Sequence, residues 1–170
     1  MKKALVIITV AFLFCSTLIA QGDNESSRKS LKGLTGVWVE VTPLDPDVER
    51  GGLSKDQIQT DVGLRLRMAG LKVLTREQML VTPGMPSLEV ELGTFKGNQS
   101  PIQEIYSYSL NVSLDQIVNL TRDPQVSVDA STWWTAKVGV VGAAKLNELR
   151  NAVNDHVDKF INAWLSVNPK

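Results

Sequence analysis

The clearest regular pattern in the chain is an alternation of apolar and polar residues between Tyr106 and Leu120. One parity is almost entirely apolar, and its members are Tyr106, Tyr108, Leu110, Val112, Leu114, Gln116, Val118 and Leu120. The other parity is small and polar, and it consists of Ser107, Ser109, Asn111, Ser113 and Asp115. Because successive side chains of a β-strand point to opposite faces, this pattern predicts one long strand with an apolar face and a polar face.

Shorter segments rich in β-branched and apolar residues predict four further strands. These segments are 37–41, 71–74, 88–92 and 132–140. We interpret Val126 and Val128 as an extension along an edge of the sheet.

Two segments have the spacing of amphipathic helices. In the first, Ile58, Val62, Leu66 and Ala69 recur every three or four residues and form one apolar face, between a capping serine at Ser54 and Gly70. The second has a longer apolar stripe, which consists of Leu146, Leu149, Val153, Val157, Phe160, Ile161 and Trp164. Thr75 and Gln78 favour one additional brief helical turn.

These elements predict an α+β fold in the order β-α-β-β-β-β-α. We expect a two-layer sandwich in which two helices cover one face of a mostly antiparallel sheet of four to five strands. Only the first strand–helix–strand segment could be a parallel crossover, which would be right-handed. This single domain covers residues 34–170, whereas residues 21–33 are polar, lack apolar periodicity and are expected to be a flexible lead-in.

The first 20 residues have the three-part pattern of a secretory signal peptide. Two lysines precede the apolar run Ala4–Ile19, and the small residue Ala20 stands at a plausible cleavage point. As a helix this run spans about 24 Å, less than the ~30 Å hydrocarbon core of a bilayer. Bulky residues precede Cys15, which argues against a lipoprotein signal. The sequence therefore predicts an exported protein of the periplasm or cell envelope, with full secretion left open.

Charge and cysteine content narrow the class of partner. Cleavage after Ala20 removes Lys2, Lys3 and Cys15. The mature chain then has 16 basic and 18 acidic residues, which gives a net charge of about −2, and it contains no cysteine. A disulfide or a thiolate metal site is therefore excluded from the mature chain. The absence of a basic field argues against nucleic-acid binding, and we expect no integral membrane segment after cleavage.

No motif for catalysis or cofactor binding is present. His156 is the only histidine, so a catalytic or metal-binding histidine would have no second histidine as a partner. We interpret it as a surface or boundary residue that titrates near neutrality. The sequence predicts no cofactor.

One acidic segment resembles a calcium-binding loop. Asp45, Asp47, Glu49 and Asp56 take positions 1, 3, 5 and 12 of that spacing. Arg50 stands where the loop needs glycine, however, so we favour a solvated loop that ends at a helix N-terminus.

The best candidates for partner binding are Trp38, Trp134, Ser109 and Asn111. Trp133 and Trp134 are neighbours in a predicted strand, so one of them must point away from the core. Trp38 has the parity opposite to the valines of its strand, and an exposed aromatic patch formed with Trp134 would mark a partner site. The alternative is that loops or the N-terminal segment cover these two side chains. Ser109 and Asn111 lie in the polar row of the long strand, which is either part of that site or an ordinary solvated face.

Two parts of the chain carry a resemblance to known proteins. The first, residues 36–74, is a strand, a charged loop, a helix and the short strand Leu71–Leu74, and the helix contains Asp61-Val62-Gly63-Leu64-Arg65-Leu66-Arg67. The second is the end of the long last helix with the segment Trp164–Lys170. In these features the chain resembles a group of small, exported, uncharacterised bacterial α+β proteins. The element order is also similar, more distantly, to the N-terminal domain of the TolB propeller protein and to the periplasmic domain of the curli-secretion lipoprotein. The resemblance implies a role in binding or assembly with other envelope proteins and assigns no residues.

Together these observations predict a non-catalytic exported envelope protein, a protein-interaction or assembly module that acts through its sheet face or edge. A periplasmic small-molecule binding module is one alternative. An enzyme of unknown class is another, and it would require carboxylates such as Glu89, Glu91 and Asp115 to cluster in a cleft.

Overall fold

The computed structural model describes residues 22–97 and 104–169. The predicted signal peptide and part of the loop around residues 98–103 therefore lie outside the described residues. The strands are β1 (Gly36–Val41), β2 (Lys72–Leu74), β3 (Ser87–Gly97), β4 (Ile105–Leu120) and β5 (Asp123–Gly142). The helices are α1 (Glu25–Lys29), α2 (Pro46–Arg50), α3 (Lys55–Ala69), α4 (Arg76–Leu80) and α5 (Glu148–Val167).

The protein has the predicted α+β fold, built on one five-stranded mixed sheet with the strand order β2-β1-β3-β4-β5. β1 runs parallel to both β2 and β3, whereas the β3–β4 and β4–β5 pairs are antiparallel. The parallel β1–β2 pair is the one crossover that the sequence allowed, whereas the expectation of an otherwise antiparallel sheet is wrong at the β1–β3 pair. The chain reaches this arrangement because α4 carries it from β2 across β1 to β3.

The predicted element order and helix count are also wrong, since three short helices accompany the two predicted long ones within the described residues. α2 begins with Asp45 as its N-cap and Pro46 at its first position. α4 confirms the brief helical turn expected at Thr75 and Gln78, whose side chains form a reciprocal capping box. Helices of five residues are too short for an apolar stripe, so periodicity does not detect them.

The long strand predicted from the alternating pattern is confirmed as β4, but β5 is longer than expected. β5 runs without interruption from Asp123 to Gly142 and pairs with nearly the whole of β4. A register shift between Leu114 and Asp115 interrupts this pairing. At this bulge Thr132 of β5 is the extra residue, because Leu114 pairs with Trp133 and Asp115 with Ser131. The bulge therefore reverses which parity of β5 faces the helices on its two sides.

α3 and α5 bury the apolar parity of the strands against one face of the sheet. Leu110, Val112 and Leu114 of β4 are almost fully buried, as their parity predicts. Trp133 and Phe160 meet edge to face in the centre of this core, with ring centroids 5.3 Å apart. We call this covered side of the sheet the helical face and the opposite side the outer face.

Residues 22–33, expected to be a flexible lead-in, pack against the domain instead. The carboxylate of Asp23 accepts hydrogen bonds from Arg28 and, at 3.0 Å, from the indole nitrogen of Trp133. Leu31 is fully buried, and Asn168 donates to its carbonyl oxygen. Single anchoring residues hold the segment, which is why it shows no apolar period in the sequence.

His156 of α5 is buried, so its interpretation as a residue that titrates near neutrality is wrong. Its side chain is 2 % exposed, and Nδ1 has no hydrogen-bond partner among the described residues. Burial and, to a smaller extent, the positive charges of Lys159 and Lys137 lower the pKa of His156 to about 4, against the raising effects of a backbone hydrogen bond with Thr135 and of the nearby Asp155. The imidazole is therefore neutral in the folded protein at neutral pH.

We predict that His156 makes the protein less stable in mild acid. Unfolded His156 takes up a proton near pH 6.5, whereas folded His156 takes one up near pH 4. Between these pH values the unfolded state binds more protons, so the free energy of unfolding falls as the pH decreases. From about pH 7.5 to about pH 5 this loss should be about 2 kcal/mol larger for the wild-type protein than for His156→Gln. Urea unfolding at both pH values measures the difference, and equal losses would contradict the assignment.

Candidate functional site

The outer face of the sheet carries all four residues predicted to bind a partner. Ser109 and Asn111 pair with Gly93 and Glu91 of β3 and point away from the helices. Trp134 lies opposite Ser113 of β4, and Trp38 lies opposite Ser87 of β3. These four side chains therefore lie on the side of the sheet that their parity predicts.

Trp38 and Trp134 nevertheless do not form one aromatic patch. Trp38 is on β1 and Trp134 on β5, so two strands separate them and they lie about 14 Å apart across the sheet. Trp134 is partly covered by Gly22, whose position leaves no room for a side chain against the indole ring. Each tryptophan belongs to a different local environment.

A group of exposed apolar side chains lies at one end of the outer face. Phe95 is 72 % exposed, Val140 is 69 % exposed and Val138 is 54 % exposed. Phe95 and Val140 flank Ser107, Val138 lies beside Ser109 in the next row, and Ile105 closes the group. We call Phe95, Ile105, Val138 and Val140 the apolar patch.

This patch was not predicted, although the parity of β5 contains a signal for it. Trp134, Ala136, Val138 and Val140 have the parity opposite to the buried residue Trp133 and are all apolar. A solvated strand face is normally polar, so this second apolar parity marks a surface that differs from an ordinary outer face.

A cavity of about 260 Å³ lies further along the outer face, beneath α4. Its lining combines four carboxylates with large apolar side chains and contains no lysine, arginine or histidine. The lining residues are Trp38, Glu40, Met79, Leu80, Met85, Ser87, Glu89, Asp115, Ile117 and Asp129. We call this cavity the acidic pocket.

The turn after α4 shapes the apolar wall of the acidic pocket. Met85 adopts a left-handed backbone conformation with φ of 43°, which is uncommon outside glycine, asparagine and aspartate. The backbone N–H of Met85 donates to the carbonyl of Thr82, and the N–H of Ile117 donates to the carbonyl of Gly84 at 2.8 Å. These bonds hold Met85 in the wall opposite the sheet, at a backbone cost that marks the position as constrained.

The carboxylates of the pocket repel one another. Asp115 accepts hydrogen bonds from the hydroxyls of Ser113 and Ser131, which fix its orientation. Partial burial raises the pKa of Glu89, and the neighbouring negative charges of Asp115, Glu40 and Glu91 raise it further. Glu89 and Asp115, which the sequence analysis named for a possible cleft, therefore do come together, whereas Glu91 does not line the cavity.

The acidic pocket suits an organic cation better than a metal ion. Among the described residues, no group of three or more histidine, cysteine, aspartate or glutamate side chains is placed to coordinate one. A carboxylate beside an indole ring suits a guanidinium or ammonium group, which gains both ion pairing and cation–π attraction.

The acidic segment that was expected to be a solvated loop forms α2 instead, and its carboxylates have local structural roles. Asp45 caps α2 and accepts from the backbone N–H of Asp47 at 2.8 Å. Asp47 pairs with Arg50, Glu49 lies in the first turn of α2, and Asp56 lies in the first turn of α3. The acidic spacing is therefore used at two successive helix N-termini.

A further groove lies on the helical side, between α3 and α5. It has a volume of about 580 Å³ and exposes Leu64 and Met68. Arg65 and Asp158 cross it as an ion pair at 2.8 Å. This groove provides matched control positions for tests of the outer face.

No protein-family model matches the chain, and no curated protein matches it. The resemblance to exported envelope modules therefore stays a prediction. In the described part of the chain, no helix has both the length and the apolar character needed to cross a bilayer.

We predict that Glu89→Gln stabilises the folded protein at neutral pH. Folding raises the pKa of Glu89 above its ordinary 4.5, so its negative charge destabilises the folded state at higher pH. This destabilisation disappears at low pH, where Glu89 is protonated in both the folded and the unfolded state. The Tm of the variant should exceed that of the wild type at pH 7, and the gain should shrink toward pH 4. Glu49→Gln, on α2, is the control, and a lower Tm for Glu89→Gln at pH 7 would contradict the electrostatic assignment.

Proposed function

We propose that this protein is a non-catalytic protein-interaction module of the bacterial cell envelope, which binds another envelope protein through the outer face of its sheet. The observation that carries this proposal is the apolar patch. Large apolar side chains grouped on one exposed face are typical of a surface that a partner covers.

The energetics favour an interaction role for this patch. Fully burying a phenylalanine or valine side chain contributes roughly 1.5–3 kcal/mol. Phe95, Val138 and Val140 are each more than half exposed in the isolated chain, so most of this contribution is available to an intermolecular contact. The small polar side chains of Ser107 and Ser109 between them leave the surface flat enough for a second protein to approach.

The location in the periplasm or envelope rests on the first 20 residues. Their basic start, apolar run and small residue at the end support export. An envelope address agrees with the resemblance to modules that contact other envelope proteins.

A small-molecule binding module is the second candidate, and the acidic pocket favours it. The cavity volume of about 260 Å³ is slightly below the range of ~300–1,000 Å³ that is usual for ligand pockets. The pocket also opens onto the outer face, which continues from it toward the apolar patch. Such an extended surface suits a polypeptide better than a small enclosed ligand.

The proposal predicts that the outer face captures a specific envelope protein in cells. A photo-reactive residue at Val138 should give a discrete crosslinked product, whereas the same residue at Leu64 should not. Val138 and Leu64 are matched controls because their side chains are 54 % and 53 % exposed. Mass spectrometry of the purified product identifies the partner.

A charge placed in the apolar patch provides the second arm of this experiment. Val140→Glu should reduce the yield of the Val138 crosslink about tenfold or more, the effect of losing ~1.4 kcal/mol of binding free energy. Met68→Glu, which adds the same charge to an exposed position on α3, should leave the yield unchanged. Equal capture at Val138 and Leu64, or capture insensitive to Val140→Glu, would contradict the proposal.

A further inference from the structure

The charges on the outer face are acidic except at its edge, where Lys72 of β2 shares the outward parity of Gly36 and Trp38. On the outward positions of β1, β3 and β4, every charged side chain is acidic, and these residues are Glu40, Glu89, Glu91 and Asp115. Asp129 of β5 adds a further carboxylate at the acidic pocket. A partner that covers this face must supply positive charge, because like-charge or uncompensated contacts would oppose association.

We infer that the outer face recognises a cationic segment of its protein partner, with an arginine or lysine side chain in the acidic pocket and apolar side chains of the same segment on the apolar patch. This inference rests on the proposed function and specifies the chemistry of the partner at the same face.

Three features of the acidic pocket suit an arginine or lysine side chain. Trp38 supplies an indole wall, against which a guanidinium or ammonium group is attracted by the ring. Met79, Leu80, Met85 and Ile117 supply apolar surface for the methylene stem of that side chain. Glu89 and Asp115 supply the carboxylates for ion pairing.

The layout of the face sets the spacing within the partner segment. Glu89, Glu91, Gly93 and Phe95 are successive outward positions of β3. At about 3.3 Å per residue, Gly93 lies ~13 Å and Phe95 ~20 Å from Glu89 along the strand. An extended segment lying over β3 would therefore place cationic residues at positions 1 and 3 and apolar residues at positions 5 and 7.

The continuation of negative charge beyond the cavity favours a polypeptide over a small free cation. Glu91 lies outside the lining of the acidic pocket, next to Asn111 of β4. A small ammonium compound could fill the cavity but would leave Glu91 and the apolar patch uncovered. A segment with alternating inward side chains contacts all three regions.

The test uses two synthetic peptides and the purified mature protein. The first peptide is acetyl-Arg-Ser-Lys-Ser-Val-Ser-Val-amide, and the second has the reverse order, because the face does not fix the direction of the segment. Binding is followed by two-dimensional NMR, which also shows where the peptide lies. At least one order should bind with a Kd of about 1 mM or tighter, and it should shift the signals of the Trp38 indole and of residues 89–95.

The charge dependence of this binding is the decisive measurement. The double variant Glu89→Gln/Asp115→Asn should weaken binding at least tenfold, whereas Glu49→Gln/Asp155→Asn, which removes the same charge elsewhere, should change it less than twofold. A peptide with glutamate in place of arginine and lysine should not bind. Thermal unfolding of each variant verifies that it is folded.

Absence of binding by both peptides, or binding that does not depend on Glu89 and Asp115, would overturn the inference. The photo-crosslinking at Val138 separates this failure from failure of the proposed function. A specific crosslink that survives Glu89→Gln/Asp115→Asn would keep the interaction module and reject cationic recognition. Tight binding of tetramethylammonium alone, with no added effect of the apolar positions of the peptide, would also reject the inference in favour of a small-cation site.

Discussion

The packing of α3 and α5 against one parity of strand residues is the interaction on which the rest of the structure depends. The side chains of Leu110, Val112 and Leu114 are buried beneath these helices, and Trp133 meets Phe160 at the centre of the contact. Because strand residues alternate strictly, a slip of one residue would exchange the buried and exposed sets. The same burial that stabilises the fold thus determines which residues form the outer face.

That face combines features that usually reduce stability in an isolated domain. Exposed apolar side chains such as Phe95 and Val140 favour association, and closely spaced carboxylates such as Glu89 and Asp115 repel each other. Residues that cost stability and lie together on one surface are typical of functional sites. This coincidence is the basis of the proposal that the acidic pocket and the apolar patch are parts of one recognition surface.

The sequence predicted the features that depend on local periodicity. The two faces of β4, the apolar stripe of α3 and its ends at Ser54 and Gly70 follow from spacing and capping alone. The mixed sheet was not predictable in this way, because the position of β1 between β2 and β3 depends on tertiary packing around α4. The anchoring of α1 was missed for a similar reason, since it depends on single contacts such as Asp23 with Trp133. At the candidate site, sequence parity correctly predicted that Trp38, Ser109, Asn111 and Trp134 lie on the outer face. The acidic pocket was not predictable, because it depends on the turn at Met85 and on the strand register, which no local pattern encodes.

The central claim is that the outer face is open in the isolated protein, and solvent paramagnetic relaxation of valine methyl groups tests it most directly. A soluble gadolinium complex should broaden the methyl signals of Val138 and Val140 strongly, because these side chains are 54 % and 69 % exposed. The signals of Val90 and Val112, which are fully buried under the helices, should remain sharp. Protection of Val138 and Val140 equal to that of Val90 and Val112 in the monomeric protein would contradict the account.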